Sequence, residues 1–454
     1  MIPGTVEKYL SKHGLPNWNI ELRVNNNFTA AVVIPAICEY ANICRLLGSL
    51  SENDKEYFDL TLFIFVINNP VSSSSKVKDD NEKSVCLLRS IIGKENSSND
   101  DLINKIILSG INIALVDASS PGKELPEKDA GAGLARKIGM DLALTVFDYD
   151  SVNKKILISL DADCVVEKNY LSEIVNSFNK KNLHAAVINY AHEIYGAGSQ
   201  AIICYEIFLR YYELGLRFAG SPFAFHAIGS TITCDYESYI KAGGMNKRKA
   251  GEDFYFLEKL AKVTSIERIN ETTVHPSPRG SWRVPFGTGQ RINRFLSKTQ
   301  NEYLLYNPDS FLILKKWLDV FLLSDNSGTI PLINSAEAID KRLKDFLLNQ
   351  NFENDWNEIL LNSTTSIQIN RQKINWFDGF RTMKLIHYLR DNELPMINMF
   401  DALDKFFELF EHYCLAEVKA ILLERSKQPV PAIEIQMKYL NLMRGLSLKL
   451  FVDL

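Results

Sequence analysis

The amino-acid sequence predicts an α/β domain of three layers with a mostly parallel sheet, followed by a helical C-terminal region. Between residues 30 and 220, short runs of apolar and β-branched residues alternate with amphipathic segments, a pattern typical of strands buried on both faces of a sheet. Beyond residue 300, strand patterns are almost absent and helical spacing replaces them. We therefore expect an α/β domain at 1–300 and a helical domain at 301–454.

Each predicted strand is followed by a segment whose apolar residues recur about every 3.6 residues, so strand and helix alternate along the chain. The predicted strands span 30–38, 59–70, 111–119, 155–163 and 184–191. The predicted helices span 39–50, 84–92, 133–148, 169–181 and 200–220, and later 311–323, 336–350, 398–424 and 433–451. The polar stretches 71–84 and 93–101 are predicted as surface loops.

Charge and composition argue against several classes of protein. The 454 residues carry a formal net charge of −4, which gives no electrostatic footprint for nucleic acid. The N-terminus lacks the layout of a signal peptide, and no apolar run is long enough for a membrane span. The seven cysteines are scattered without a CxxC pair, which is typical of reduced thiols. We expect a cytoplasmic protein; a homodimer and peripheral membrane contact both stay open.

Two aspartates one residue apart, Asp161 and Asp163, end the fourth predicted strand. Alternate residues of a strand face the same way, so the two carboxylates would converge on one point. Such hard oxygen donors suit Mg²⁺ or Mn²⁺. A solvated strand boundary is the alternative. Ligands of open α/β sheets bind outside the carboxyl ends of the strands, and the two aspartates lie at such an end.

The segment DAGAGLARKIGMD (129–141) places glycines directly before a helix, where backbone amides bind anions. Arg136 and Lys137 lie in the first turn, where positive charge is disfavoured unless an anion such as a diphosphate is bound. The segment fits neither a P-loop nor a dinucleotide fingerprint. A flexible turn with two solvated basic side chains is the alternative.

Two acidic residues, Glu252 and Asp253, precede a later amphipathic helix. Acidic side chains in a first turn stabilise any helix, and this is the simpler interpretation. The functional interpretation is a carboxylate general base that takes a proton from an alcohol. The local sequence favours the simpler interpretation.

The segment 275–291 is rich in proline, glycine and arginine and is predicted as a long ordered loop. His275 would supply a nitrogen ligand to a metal, and Arg279 and Arg283 would clamp phosphates. A surface loop with a lone histidine is the alternative.

Taken together, these segments resemble family 2 glycosyltransferases. AVVIPAICEYANICRLLGSL is similar to the opening strand and helix of the family, FVINNP occupies the place of its second strand, and LDAD is similar to its DxD motif. GAGLARKIGMDLA resembles the Gly-x-x-x-Ala-Arg-Asn-x-Gly-x-x-x-Ala element. AIGSTITCDYESYIKAGGMN resembles the acceptor segment, and GEDFYFLEKL the Glu-Asp element after it. These elements follow the order of the family over roughly residues 30–265.

The resemblance implies a GT-A fold, a Rossmann-like domain that moves a hexosyl group from a nucleotide-diphosphate sugar to an acceptor hydroxyl. It implies Mn²⁺ or Mg²⁺ as cofactor, bound by Asp163 with Asp161, and Asp253 as the catalytic base with Glu252 beside it. Such a base gives inversion, whereas a metal-bound His275 keeps retention open. The acceptor, a saccharide or a lipid-linked molecule, stays open. The implied nucleotide-sugar site comprises Pro35, Ala36, Glu39, Asn68, Arg136 and Asp161.

The chain departs from the family at several positions. Asn68-Asn69 stands where the family usually has an acidic pair, Ile37-Cys38 replaces Tyr-Asn, and Lys137 replaces an asparagine. The QxxRW element of processive synthases is absent. A non-catalytic GT-A-like module that binds a sugar nucleotide or a partner is the alternative function. A nucleotidyltransferase fits less well, because PAICEYAN is neither glycine-rich nor basic.

Overall fold

The computed structural model describes residues 1–23, 28–94, 101–280, 287–323, 328–425 and 428–449. The chain divides into two compact units. The first comprises Met1–Glu193 and Ala227–Pro278, and the second comprises Ile194–His226 and the chain from Thr288 onward. The units are therefore interleaved along the chain, whereas the sequence predicted one boundary at residue 300. That boundary stays a prediction.

The strands are β1 Ala30–Ala36, β2 Thr61–Asn68, β3 Asn112–Ala118, β4 Ile156–Ser159, β5 Val165–Val166, β6 Ala185–Tyr190, β7 Ile232–Asp235, β8 Glu267–His275, β9 Leu304–Leu305 and β10 Ile397–Asn398. The helices of the first unit are α1 Gly4–His13, α2 Tyr40–Leu50, α3 Ser75–Gly93, α4 Asp101–Ser109, α5 Ala132–Ala143, α6 Tyr170–Lys180, α8 Tyr236–Lys241 and α9 Glu252–Ala261. The helices of the second unit are α7 Ser199–Phe218, α10 Thr288–Ser297, α11 Asp309–Leu323, α12 Thr329–Ile339, α13 Lys341–Asn349, α14 Phe352–Asn362, α15 Ser366–Trp376, α16 Gly379–Asp391, α17 Met399–Glu408, α18 Glu411–Glu424 and α19 Ile433–Lys449.

An eight-stranded sheet with the order β3-β2-β1-β4-β7-β6-β8-β5 forms the centre of the first unit. β3, β2, β1 and β4 run parallel to one another, and β8 runs parallel to β6. β7 lies antiparallel to both of its neighbours, and β5 lies antiparallel to β8. Every residue of β2 is buried, as expected for a strand covered on both faces.

Helices cover both faces of this sheet. On one face, alternate residues of β1 such as Val32 and Ile34 pack into a core with residues of α2, α3, α4 and α6. On the other face lies α5, whose Gly139 touches β1 and β2 closely. A Cβ atom at Gly139 would lie 2.4 Å from Cγ1 of Val33 and 3.0 Å from Cγ2 of Val66. The first unit is therefore a three-layer α/β domain.

The predicted fold class, a Rossmann-like three-layer α/β domain with a mostly parallel sheet and a helical C-terminal region, is confirmed. The predictions were wrong in details. α4 was not predicted, and the polar stretch 71–84 is mostly helix α3 rather than a loop. β7 and β8 were also not predicted. β7 has four residues, too few for a clear pattern, and β8 carries polar residues such as Glu267 and Glu271 at its exposed positions.

The second unit consists mainly of helices around one apolar core. Residues of α7, including Tyr211 and Leu214, share this core with residues of α11, α17 and α19. The predicted helix 336–350 is divided at Asp340, whose side chain accepts a hydrogen bond from the backbone N–H of Arg342 and so caps α13. Within the described part of the chain, no helix is long and apolar enough to cross a membrane. The cytoplasmic location stays a prediction.

Candidate active site

The carboxyl ends of the four parallel strands meet at one edge of the sheet. Ala36 pairs with Ile67 and Asn68 pairs with Ala118, so β1, β2 and β3 end nearly level with one another. β4 ends at Ser159, next to β1. The segments that follow β1, β2 and β4 carry most of the predicted nucleotide-sugar site, and the register therefore gathers them at this edge.

Asp161 and Asp163 lie in a turn just beyond β4. The backbone N–H of Cys164 donates to the carbonyl oxygen of Asp161 at 3.2 Å, which closes the turn. Both aspartates are half-buried. The prediction that they belong to a strand and converge by strand alternation was therefore wrong, because the strand stops at Ser159. The turn still carries both carboxylates to the carboxyl edge of the sheet.

The buried side chain of Arg136 joins this turn to the start of α9. One terminal nitrogen, Nη2, donates to Oδ1 of Asp161, and the other, Nη1, donates to Oε1 of Glu252. The side chain of Arg136 is 3% exposed, and that of Glu252 is 9% exposed. Burial alone would lower the pKa of Arg136, but the charges of Asp161, Glu252 and Asp253 outweigh it and raise that pKa. The two acidic segments predicted from the sequence thus share a single guanidinium.

Helix α9 presents two carboxylates at its first turn. Gly251 precedes them in the left-handed conformation with φ +69°, which glycine adopts without strain. Asp253 is half-buried and accepts a hydrogen bond from the backbone N–H of Phe254 at 2.7 Å. Burial and, after it, the charge of Glu252 raise the pKa of Asp253 to about 7 against the opposing effect of Arg136. A carboxyl group with this pKa exchanges protons near neutral pH.

The glycines at the start of α5 have a packing role that the sequence did not reveal. A Cβ atom at Gly133 would lie 2.4 Å from the carbonyl oxygen of Arg248, and one at Gly131 would lie 3.0 Å from Cα of Lys249. Only glycine allows the 246–249 loop to approach the start of α5 this closely. The loop leads directly into α9, so this contact fixes where α9 begins.

The two basic residues of α5 are not solvated, and that alternative was wrong. Lys137 is buried, and its Nζ atom donates to Oδ2 of Asp141 at 2.8 Å and to the hydroxyl of Tyr9 at 3.0 Å. The hydroxyls of Tyr9 and Tyr239 both donate to Oδ1 of Asp141. This network ties α1 and α8 to α5, which accounts for a lysine where the family has an asparagine.

Asparagine side chains organise the edge next to β1 and β2. Nδ2 of Asn68 donates to the carbonyl oxygens of Ala36 and Val66, at 3.0 Å each. Nδ2 of Asn81 donates to the carbonyl oxygen of Asn68 at 3.0 Å and to Oδ1 of Asn69 at 2.7 Å. The departures from the family at these positions therefore form one connected network.

The same network reaches the loop after β1. Oδ1 of Asn81 accepts a hydrogen bond at 2.9 Å from the backbone N–H of Cys38, which has φ +56°. Glu39 is buried and accepts a hydrogen bond from Nδ2 of Asn42 at 2.6 Å. Pro35 is half-buried at the end of β1. The backbone of this loop is therefore held in one conformation beside the strand ends.

His275 is the last residue of β8 and pairs with Val165. Val165 lies two residues after Asp163 in the chain. Its Nδ1 atom lies 2.9 Å from the carbonyl oxygen of Ala191, which orients the ring. Its Nε2 atom lies 3.7 Å from Oε1 of Glu167. The prediction that His275 belongs to a loop was wrong, because the strand extends to it.

The donor set of the turn after β4 suits a hard cation. Among the described residues, no group of three or more His, Cys, Asp or Glu side chains stands close enough to hold a metal ion. Asp161 and Asp163 nevertheless provide two half-buried carboxylates one residue apart. Mg²⁺ typically takes one or two carboxylates and completes its shell with water and phosphate oxygens. The residues present therefore fit Mg²⁺ or Mn²⁺.

The structure does not test the two predicted phosphate clamps. Arg279 groups with the second compact unit, and Arg283 lies outside the described residues. Their contact with phosphates stays a prediction.

Sequence reasoning missed Asn81 and Gly229. Asn81 lies in the polar stretch that was predicted as a loop, and assigning that stretch to a helix would have drawn attention to a buried asparagine within it. Gly229 packs against the guanidinium of Arg136, since a Cβ atom there would lie 2.3 Å from Nη2. No local signal in the sequence indicated that contact.

No family model matches the chain, and no curated protein matches it. Among solved structures, the chain is similar to S. aureus TarS 1-349 in complex with UDP, with 13% identity, 85% of this chain and 91% of that chain covered, and a TM-score of 0.36. It is similar to the mannosyltransferase PcManGT from Pyrobaculum calidifontis in complex with GDP-Man and Mn²⁺, with 12% identity, 85% and 90% covered, and a TM-score of 0.36. It is also similar to glucosyl-3-phosphoglycerate synthase from Mycobacterium tuberculosis in complex with Mg²⁺ and UDP, with 15% identity, 59% and 72% covered, and a TM-score of 0.30.

These structures contain UDP or GDP-Man. Because the TM-scores lie below 0.5, the function proposed below rests on the residues of this chain.

Proposed function

We propose that this protein is a metal-dependent glycosyltransferase that moves a sugar from a nucleotide-diphosphate sugar to an acceptor hydroxyl. One observation carries the proposal: a single buried guanidinium, that of Arg136, binds both Asp161 beyond β4 and Glu252 at the start of α9. A transferase of this class needs a site for the departing diphosphate on one side of the sugar and a base for the acceptor on the other. The two acidic segments supply these two functions at adjoining positions.

Asp163 and Asp161 are the proposed metal ligands. His275 does not group with them in the structure, so its part as a nitrogen ligand stays a prediction. When bound, Mg²⁺ or Mn²⁺ would offset the negative charge that develops on the diphosphate as it leaves. The Nδ1 atom of His275 is held by the carbonyl oxygen of Ala191, the kind of partner that orients metal-binding histidines, and its Nε2 atom lies 3.7 Å from Oε1 of Glu167.

Asp253 is the proposed general base. With a pKa of about 7, Asp253 is deprotonated in a large fraction of molecules at neutral pH. It is also basic enough to take the proton of an acceptor hydroxyl. The oxygen of that hydroxyl then forms a bond to the anomeric carbon while the bond from this carbon to the diphosphate breaks. Attack from the side opposite the leaving group gives inversion, which we propose as the stereochemical outcome. Glu252 stands beside the base, held by Arg136.

The loop after β1 and the end of β2 form the proposed nucleoside site, with Pro35, Ala36, Glu39 and Asn68 as its lining. Asn68 uses its amide nitrogen to hold the carbonyl oxygens of Ala36 and Val66. The nucleobase of the donor would therefore contact a rigid edge built of amides and backbone groups, where the family commonly has a carboxylate. The nucleotide and the acceptor, a saccharide or a lipid-linked molecule, stay open.

Thermal unfolding in the presence of candidate donors tests the proposal. UDP-, GDP-, ADP- and dTDP-sugars should each be added with Mn²⁺, without Mn²⁺, and with a chelator. We expect one nucleotide to raise the Tm only when the metal is present, because a ligand stabilises the state that binds it. Asp163→Asn should remove the metal-dependent part of the shift, whereas Asp319→Asn, at an exposed position of α11, should not. If no donor raised the Tm with or without Mn²⁺, the proposal would be wrong.

A further inference from the structure

The guanidinium of Arg136 is buried and is in contact with three other parts of the protein. It is 3% exposed, and its two terminal nitrogens bind Asp161 and Glu252. Gly229 lies directly against it, at a distance that leaves no room for a side chain. Three separate segments of the first unit, the turn beyond β4, the 229 turn and the start of α9, therefore meet at this one side chain.

Freeing this guanidinium for a phosphate would be costly. The two ion pairs are buried or partly buried, and breaking one leaves a carboxylate without its partner in a poorly solvated place. A diphosphate would have to replace both carboxylates and then reach a group that protein atoms cover. The contacts of Arg136 argue that it does not bind the nucleotide, although the family resemblance implies that role.

We infer that Arg136 is a positioning residue that fixes the spacing between the donor-side carboxylate Asp161 and the Glu252–Asp253 pair on the acceptor side. This inference rests on the proposed function. The guanidinium is rigid and planar, and its two terminal nitrogens hold two carboxylates at a set separation. A lysine at this position would place one point charge between them and could not hold both in the same geometry.

The experiment compares Arg136→Lys with the wild-type protein in donor affinity and in kcat. If Arg136 positions the carboxylates, the Kd of the donor identified by thermal shift should change by less than about threefold, while kcat should fall about 100-fold, as when catalytic groups are misplaced by about 1 Å. Arg425→Lys is the matched control, because Arg425 also bridges two carboxylates, Asp401 and Asp404, in the second unit. Its kcat should stay within about twofold of wild type.

Two results would overturn the inference. A donor Kd weakened tenfold or more with kcat retained would make Arg136 a nucleotide ligand, and unchanged values of both would leave it without a role in the reaction. Added guanidinium ions at millimolar concentration give a further readout with Arg136→Ala. Partial recovery of kcat supports positioning, since a merely structural defect would not respond to the missing group, and no recovery in a folded variant counts against it.

A second measurement needs no turnover, so it separates this inference from the proposed function. The Tm changes of Asp161→Asn and Glu252→Gln should be non-additive in the wild-type background, because both carboxylates share one partner, and additive in the Arg136→Met background. Additive changes in both backgrounds would refute the coupling through Arg136. If no donor were turned over while this coupling was found, the proposed function would fail and the junction at Arg136 would stand.

Discussion

Replacing Glu252 by glutamine should lower the pKa of Asp253 and move the acid side of the pH–rate profile to lower pH. Glu252 is buried beside Asp253, and its negative charge is a main cause, after burial, of the raised pKa. Two carboxylates about 6 Å apart repel by about 3 kcal/mol at an effective dielectric constant of about 20, which corresponds to about two pKa units. The substitution also releases Arg136 from Glu252, and this lowers the pKa of Asp253 further.

The assay is kcat/KM against pH for the donor identified by thermal shift. A base with a pKa of about 7 is roughly one-tenth deprotonated at pH 6. With its pKa lowered by about two units, the same base would be about nine-tenths deprotonated at that pH. Each profile is scaled to its own plateau, so a lower maximum in Glu252→Gln does not affect the comparison.

Glu237→Gln is the matched control, because Glu237 also lies in the first turn of a helix of the same unit but is exposed. Its profile should coincide with that of the wild-type protein. If the acid side of the Glu252→Gln profile stayed in place or moved to higher pH, the proposal that the charge of Glu252 raises the pKa of Asp253 would be wrong.

Two further predictions concern stability. Because the folded-state pKa of Asp253 lies above its usual value of 3.8, the unfolded state loses its proton first and wild-type stability falls as the pH rises from about 4 to 7. Asp253→Asn should therefore be more stable than wild type by about 4 kcal/mol at pH 8 and by about 2 kcal/mol at pH 5, in chemical unfolding; an equal gap at both values would contradict the raised pKa. Lys137→Met should lose about 3–5 kcal/mol, because it leaves the buried carboxylate of Asp141 without its cation. Lys315→Met, which breaks the exposed pair of Lys315 with Asp319, should change stability by less than about 1 kcal/mol, and similar losses in both variants would contradict this account of the network.

The parallel half of the fold could be predicted from the sequence because its strands are buried on both faces. The run TLFIFVIN in β2 is polar only at its two ends, Thr61 and Asn68, and its apolar interior predicts a strand without any knowledge of its neighbours. The other half could not be predicted in this way. β8 has only two apolar residues, Ile269 and Val274, in the otherwise polar ERINETTVH, and α3 begins in a serine-rich and charged stretch, so tertiary packing decides both.

The candidate site was predicted as separate pieces, and the sequence did not indicate what joins them. Asp161 and Glu252 were identified for their charge and their place beside predicted elements. The position of Arg136 between them depends on the close approach of Gly229 and of the 246–249 loop to α5. Those contacts join residues about 90 to 120 positions apart in the chain, and neither composition nor periodicity encodes such a distance.

The 301–454 region illustrates the same difference. Its helices could be predicted from their amphipathic spacing, although 336–350 and 398–424 are each divided in the structure. α7 packs with these helices in the second unit. The sequence could not predict this, because the apolar residues of α7 could pack against a sheet or within a helical bundle equally well.

The central claim is that the turn beyond β4 and the start of α9 act on one substrate. The most direct test measures turnover of the identified nucleotide sugar by Asp163→Asn and Asp253→Asn. Both variants should keep the circular dichroism spectrum of the wild-type protein, and each should lose at least about 100-fold in turnover measured with saturating Mn²⁺. If both folded variants turned over the donor at the wild-type rate, the two acidic segments would not form an active site.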